Sequence, residues 1–255
     1  MSKSISTVLK PSLWLKDNIM IFYGSAIDAK THNHHAIQVV WETQNAHCVW
    51  PEGELSGSFI IGPGVKHQVK LNEGWILLIE PSSILGLSLK RLLGSSGVIS
   101  INNMVKRYSV AATPILQPIA EISQLFEQLN IDVNFAVNDQ QITDNRIQKL
   151  MDKLNLCLLD ECQKPANWRA ANVAAELYLS ESRFLHLFKQ QLGVAWRPYL
   201  RWRRLSCACN AIAKGASVTE AAYIAGFSDG PHLSKTFNSM FGLTITDAKA
   251  IFFKD

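Results

Sequence analysis

Long apolar runs are absent from this sequence of 255 residues. No stretch approaches the roughly eighteen consecutive apolar residues that a membrane-spanning helix needs. The N-terminal segment also lacks an apolar block followed by a small-residue cleavage site, which is the pattern of a secretory signal. The sequence therefore predicts a cytoplasmic protein that makes no contact with a membrane.

Cysteine is scarce as well. The chain has 5 cysteines, an odd number, and contains no C-x-x-C pair. This argues against a disulfide framework and against a zinc site made of paired thiolates. Cys207 and Cys209 lie two positions apart in a predicted helix, about 200° around its axis, so they cannot bind one metal ion together.

Positive charge is in small excess, with a net charge of +4, and the charged residues are unevenly distributed along the chain. Residues 1–142 have 10 basic and 11 acidic side chains, whereas residues 143–255 have 15 basic and 10 acidic ones. Contact with nucleic-acid phosphates requires a local excess of this kind. The C-terminal part is therefore the candidate for nucleic-acid binding.

Residues 215–242 are predicted to form a helix, a tight turn and a second helix. Ser217 and Glu220 form an S-x-x-E capping box, which indicates that the first helix begins near Val218. Gly226 ends this helix, and Asp229 is placed to cap the second one.

The second of these helices has an apolar face and an outer face. Its apolar residues recur at i, i+4, i+7 and i+8, which places them on one stripe: Leu233, Phe237, Met240 and Phe241. The outer face is small, polar or basic: Pro231, Ser234, Lys235 and Asn238. Such a face is typical of a helix that enters the major groove, although any two-helix hairpin has a solvated side.

The same pattern occurs earlier in the chain, at a constant spacing of 49 residues. The residues that match Leu233, Phe237, Phe241 and Gly242 at this spacing are Phe184, Phe188, Leu192 and Gly193. Ser180 matches the cap Asp229 in the same way. A repeated unit favours two recognition helices over one chance hairpin.

Three segments resemble the DNA-binding domain of the AraC/XylS family of transcriptional regulators. They are A-x(4)-L-S-x-S-R-F-x-x-x-F-K-x-x-x-G at residues 174–193, R-L-x-x-A at residues 204–208, and A-G-F-S-D-x-x-H-L-x-x-x-F-x-x-x-F-G-L-T at residues 225–244. The resemblance covers roughly the last hundred residues. In the first turn Tyr178 stands where the family usually has a small residue.

The resemblance implies roles for the outer-face residues of both predicted recognition helices. Those expected to reach base edges are Ser182, Leu185 and His186 in the first helix and Pro231, Ser234 and Lys235 in the second, with Asn238 beside them. Arg183 and Lys189 are expected to approach phosphates. Arg201 and Arg204, on the long helix predicted between the units, fit either the DNA backbone or salt bridges within the domain.

From residue 19 to about residue 78, short apolar runs alternate with turn residues, which predicts a small all-β domain. Residues 57–67 resemble the second motif of the cupin barrel, and His32 and His34 resemble the H-x-H of its first motif. The glutamate that should follow the H-x-H is missing, because Gln38 or Val39 occupies its position.

These histidines fit either a metal site, since neutral imidazole binds Zn, Fe, Ni or Cu, or the border of a small-molecule cavity. AraC/XylS proteins commonly carry a metal-free, cupin-like sensing barrel. The resemblance therefore implies an organic effector close to His34 and His67, with no metal and no other cofactor.

Thr113 and Pro114 open a further predicted helix with an apolar stripe: Ile115, Ile119, Ile122, Phe126 and Leu129. The stripe is either a packed bridge or a dimerisation surface, and the resemblance favours a homodimer. The polar stretch 130–141 after it is the candidate domain boundary.

The sequence thus predicts an α+β fold of two domains, a cupin-like β-barrel followed by an all-α domain with two helix-turn-helix motifs. Residues 1–112 are expected to sense an effector, residues 113–142 to link, and residues 143–255 to bind DNA. The expected function is a transcriptional regulator, not an enzyme. Its partners would be promoter DNA, a small-molecule effector and, for an activator, RNA polymerase.

Two rival functions stay open at this point. A metal-dependent cupin enzyme with an accessory helical domain would contain a stoichiometric ion. An architectural DNA binder without an effector would show no ligand-dependent change in DNA affinity.

Overall fold

The N-terminal domain is built on an antiparallel sheet. The computed structural model describes residues 12–16, 19–109, 118–132, 142–159 and 168–252. Its strands in these ranges are β1 (Ser12–Lys16), β2 (Ile19–His32), β3 (Ile37–Trp50), β4 (Gly53–Ser56), β5 (Phe59–Ile61), β6 (His67–Ile79) and β7 (Val98–Ser100). The sheet order is β1-β2-β6-β3-β5-β7, and β4 pairs with β3 as a hairpin.

Two pairs of short apolar runs merge into single long strands. The runs at residues 36–41 and 47–50 both belong to β3, whose register against β6 shifts between Glu42 and Gln44. A bulge of this kind absorbs an extra residue and bends the strand without ending it. Gly74 of β6 pairs with Glu42 beside this bulge, and a Cβ atom there would collide with the carbonyl oxygen of Trp41.

One face of the sheet packs against α1 (Ile84–Leu93) and α2 (Pro118–Gln128). Ile122 and Phe126 of α2 are fully buried there, in one cluster with Trp75 of the sheet. From Ile122 onward the predicted apolar stripe is therefore a packed bridge. Ile115 lies outside the described residues. A homodimer stays a prediction, and it would need another surface because this part of the stripe is buried against the sheet.

The C-terminal domain is all-helical across its described residues. Its helices are α3 (Asn145–Leu159), α4 (Ala170–Glu176), α5 (Glu181–Leu192), α6 (Trp196–Ala213), α7 (Val218–Ile224), α8 (Gly230–Phe241) and α9 (Ile245–Phe252). The first four share a core around Phe184, Phe188 and Trp196. None of the helices in the described ranges has the length and the apolar character needed to cross a bilayer.

The other face of the sheet meets the second part of this helical domain. Leu78 and Val69 of the sheet belong to the same hydrophobic cluster as Phe237 and Phe241 of α8. A backbone hydrogen bond crosses the boundary, since the N–H of Lys30 donates to the carbonyl of Gly242 at 2.9 Å. The two domains are thus joined through α8 and α9.

The cysteines correct one expectation. Cys48 and Cys209 are free and buried, whereas Cys207 is disulfide-bonded. The odd cysteine count therefore did not exclude every disulfide, because a count carries no information about which thiols the fold brings together.

Candidate functional site

The second helix-turn-helix unit has the local structure that its sequence dictates. The Ser217 hydroxyl accepts a hydrogen bond from the N–H of Glu220, whose carboxylate accepts one from the N–H of Ser217, and the capping box starts α7. Asp229 accepts a hydrogen bond from the N–H of His232 at 2.7 Å and caps α8. Pro231 is accommodated in the first turn of α8, where its missing N–H leaves no helical hydrogen bond unmade.

The first unit repeats this arrangement with one difference in its turn. Ser180 caps α5 by accepting a hydrogen bond from the N–H of Arg183, and α5 ends at Gly193 in the left-handed conformation, as α8 does at Gly242. In the turn between α4 and α5, Tyr178 has a φ of 56° and is 96% exposed. A non-glycine residue in this conformation is strained, so the tyrosine is held there by the packing on either side of the turn.

The two recognition helices bury the predicted faces and expose the opposite ones. In α5 and α8 the buried residues include Phe184 and Phe188, and Leu233 and Phe237. The exposed candidates are Ser182, Arg183, His186, Lys189, Pro231 and Lys235. Leu185, Ser234 and Asn238 are half-buried at the edges of the same faces.

The helix between the units holds the two faces at a fixed separation. With 18 residues, α6 is about 27 Å long at 1.5 Å per residue. Successive major grooves on one side of B-DNA are roughly 34 Å apart. The length of α6 is therefore of the same order as the spacing of two adjacent grooves.

The arginines of α6 differ in their burial and in their hydrogen-bond partners. Arg201 is exposed, and Arg204 is half-buried, with a pKa that burial lowers. Neither forms an ion pair with an acidic residue in the described part of the chain, and both stay candidates for the DNA backbone. Arg203 is buried, and its guanidinium donates to the Leu154 carbonyl at 3.0 Å and to the Asn155 side chain at 2.8 Å.

These contacts make Arg203 a structural link between α6 and α3. Arg203→Ala is expected to lower the free energy of unfolding by about 3 kcal/mol, because it removes bonds made by a buried charge. Arg201→Ala, two positions away and exposed, is expected to change it by less than about 0.5 kcal/mol. Urea denaturation of both variants checks this, and equal losses would contradict the assignment.

Three histidines of the sheet domain are brought together more tightly than the sequence indicated. His32, His34 and His67 are all buried, and each offers a ring nitrogen within 4.8 Å of the other two. Gln38 completes the cluster, with its side-chain oxygen 3.0 Å from Nε2 of His34 and 3.1 Å from Nε2 of His67. Burial lowers the pKa of His34 to about 3 and that of His67 to about 4, so both imidazoles are neutral at pH 7.

From the sequence, His34 and His67 are expected near the effector, and His32 enters only through the H-x-H resemblance and its metal alternative. His32 and His34 lie two positions apart and His67 pairs with His32 across the sheet, so the spacing did contain part of this information. Gln38 was visible only as the residue in place of an expected glutamate.

Among the cavities lined by described residues, two that border the sheet differ in size and chemistry. A narrow cavity of about 50 Å³ lies between the sheet and the second helix-turn-helix unit, lined by His32, His34 and Gln38 together with Phe237 and Phe241. An open, more polar cleft of about 650 Å³ lies elsewhere on the sheet. The residues around it include Asn45, His47, Lys70, Asn72, Asn102 and Arg107, and exclude His34 and His67.

Comparison with known proteins agrees with the geometry of the C-terminal units. Residues 173–250 match the sequence model described as a helix-turn-helix domain. The chain is 28% identical over 103 residues to the "Probable transcriptional regulator LumQ" of Photobacterium leiognathi, covering 39% of this chain and 42% of that one. It is 35% identical over 107 residues to the HTH-type transcriptional activator RhaS of Escherichia coli, covering 40% and 38%. The chain thus matches about two fifths of the length of each of these curated relatives.

Solved structures similar to this one include ToxT from Vibrio cholerae O395, with 15% identity, a TM-score of 0.47, and coverage of 91% of this chain and 97% of ToxT. An AraC-type regulator from Chromobacterium violaceum has 27% identity and a TM-score of 0.33, and covers 40% of this chain and 94% of its own. The matched segment, residues 173–250, contains both helix-turn-helix units described above. Over this pair of units, the chain is similar to helix-turn-helix transcriptional regulators.

Proposed function

We propose that this chain binds promoter DNA by placing α5 and α8 in successive major grooves. The observation that carries the proposal is the repeated unit, with two capped helices that expose equivalent faces and a rigid 18-residue helix between them. The net excess of basic residues from residue 143 onward supplies charge for phosphate contacts.

Direct reading of bases by these faces would be of limited strength. Ser182, Leu185, Pro231 and Ser234 cannot make the two simultaneous hydrogen bonds that arginine makes to guanine. Apolar contacts and the shape of the DNA would then contribute a large part of the specificity. We expect His186 and Lys235 to be the principal polar readers.

DNA binding is tested by titrating the intact chain and the fragment 143–255 with genomic duplexes that contain regulated promoters. Both are expected to bind, and the affinity should fall steeply between about 50 and 200 mM salt because phosphate contacts release counterions. The fragment exposes part of the α8 surface that the sheet covers, so circular dichroism must first show that it is folded. Binding that is absent, or that is insensitive to salt, would contradict the proposal.

We propose also that the N-terminal domain senses a small organic molecule. Sites for such molecules usually have roughly 300 to 1,000 Å³, which the cleft on the sheet provides and the narrow cavity does not. A molecule close to His34 and His67 would have to displace Phe237 or Phe241 of α8. The polar lining of the larger cleft favours an effector with several hydrogen-bonding groups.

A thermal-shift screen of polar metabolites on the intact chain tests the sensing proposal. Asn72→Trp, at an exposed position on the border of the cleft, is expected to abolish the shift caused by a true effector and to leave DNA binding without effector unchanged. A ligand that stabilises the wild type and this variant equally would place the site elsewhere.

Two further interactions belong to the same proposal. Dimerisation of the chain is measured by sedimentation. Contact with RNA polymerase, expected if the protein is an activator, is measured by transcription in vitro.

A further inference from the structure

The histidine cluster has a feature that simple packing does not require. In all three rings Nδ1 lies within hydrogen-bonding distance of a backbone carbonyl: Lys30 at 2.7 Å for His32, Ala36 at 3.0 Å for His34, and Val65 at 2.8 Å for His67. A carbonyl oxygen can only accept, so each Nδ1 must carry the hydrogen. The lone pair of each neutral ring therefore resides on Nε2.

This tautomer is the one found in metal-binding histidines. A ring that ligates through one nitrogen usually donates its other N–H to a carbonyl or a carboxylate, which fixes the orientation of the ring. Here His32, His34 and His67 are fixed in this way by three separate backbone segments.

The Gln38 side chain lies beside two of these rings, 3.0 Å from Nε2 of His34 and 3.1 Å from Nε2 of His67. Turned one way, its amide donates hydrogen bonds to the two lone pairs, and turned the other way, it presents its oxygen next to them as a possible ligand. Neighbouring ligands about 2.1 Å from one ion are separated by roughly 3.0 to 3.4 Å, depending on whether the geometry is octahedral or tetrahedral. The distances at Gln38 fall within this range. Without an ion, the amide would instead turn its NH₂ group toward the two rings.

We propose that His32, His34 and His67 bind a divalent transition-metal ion of the Zn, Ni or Co class, with the Gln38 side-chain oxygen as a fourth ligand. Imidazole nitrogen with one amide oxygen suits these ions and not Mg²⁺ or Ca²⁺, which take oxygen ligands. The narrow cavity of about 50 Å³ beside the rings leaves room for a water molecule on the ion and for no larger ligand. The sequence-based expectation of a metal-free cluster is replaced by this proposal.

The position of the site connects it to the second helix-turn-helix unit. His32 Nδ1 and the Lys30 carbonyl lie directly beneath Gly242, the residue that ends α8, and the N–H of Lys30 donates to the Gly242 carbonyl. Ligation fixes the His32 ring and, through it, the end of β2 that contacts Gly242. A metal-dependent change in DNA affinity would follow, and this second effect alone rests on the proposed DNA-binding function.

The test uses the intact chain, free of any affinity tag and treated with a chelator that is then removed. Calorimetric titration with Zn²⁺, Ni²⁺ and Co²⁺ is expected to show one site per chain for at least one of them, and bound Co²⁺ should absorb in the visible range. His67→Ala is expected to weaken this binding at least about 100-fold. His47→Ala removes a histidine on β3 outside the cluster and should leave it unchanged.

Gln38→Glu keeps the size of the side chain and supplies the negative charge that the cluster lacks. It is expected to strengthen metal binding by about tenfold or more, because a carboxylate compensates the buried charge of the ion. The variant remains informative should His67→Ala fail to fold, which circular dichroism would reveal. Failure of all three metals to bind the wild type, or equal binding by the His67 and His47 variants, would overturn the proposal, whatever the outcome of the DNA experiments.

Discussion

Gly242→Ala is expected to loosen the contact between the second helix-turn-helix unit and the sheet. Gly242 ends α8 with a φ of 68°, and a Cβ atom there would collide with the Lys30 carbonyl oxygen and lie 2.7 Å from Nδ1 of His32. The left-handed conformation alone costs alanine about 1 to 2 kcal/mol. The collision involves backbone, which cannot turn aside, and should add about 1 to 3 kcal/mol.

The first unit provides a matched control for this variant. Gly193 ends α5 with a φ of 70°, and a Cβ atom there would meet only the flexible end of Lys90, at 3.8 Å. Gly193→Ala therefore carries the conformational cost without the collision. The difference between the two losses of unfolding free energy, measured in urea, gives the cost of disturbing the domain contact. Equal losses would show that Gly242 does not press against the sheet in solution.

The helix-turn-helix units could be predicted almost completely because their determinants are local. A capping box needs only Ser217 and Glu220, and the buried stripe of α8 follows from helical spacing. The repeat then supplied a second, independent copy of the same pattern. The outer faces follow from the buried ones by geometry, whereas their contacts with DNA remain predictions.

The sheet domain was predicted less well, because its features depend on pairing between distant residues. No local pattern indicates that β3 continues past Glu42 through a bulge. Nor does one indicate that the apolar stripe of α2 packs against the sheet. The contact between Gln38 and His67, which is 29 positions away, depends on the tertiary fold and has no local sequence pattern. The Gly242 contact joins residues from opposite ends of the chain, which no periodicity can reveal.

The two recognition helices carry different side chains at one equivalent position. Lys235 on α8 and His186 on α5 occupy equivalent positions, 49 residues apart, and both side chains are exposed. The imidazole of His186 can both donate and accept hydrogen bonds. Lys235 supplies a full positive charge. The two substitutions should therefore differ in their dependence on salt.

If both side chains read bases, Lys235→Ala and His186→Ala should each cost about 1 to 3 kcal/mol on the operator and relax sequence preference at positions one helical turn apart. If Lys235 contacts only phosphate, its loss should weaken binding to all sequences alike and lower the salt slope by about one unit, whereas His186→Ala leaves the slope unchanged. Titrations on operator and scrambled DNA at several salt concentrations separate these cases, and Thr219→Ala, an exposed change on α7, serves as the control. Unchanged binding by both variants, with the proteins folded, would mean that the DNA meets a different face of α5 and α8.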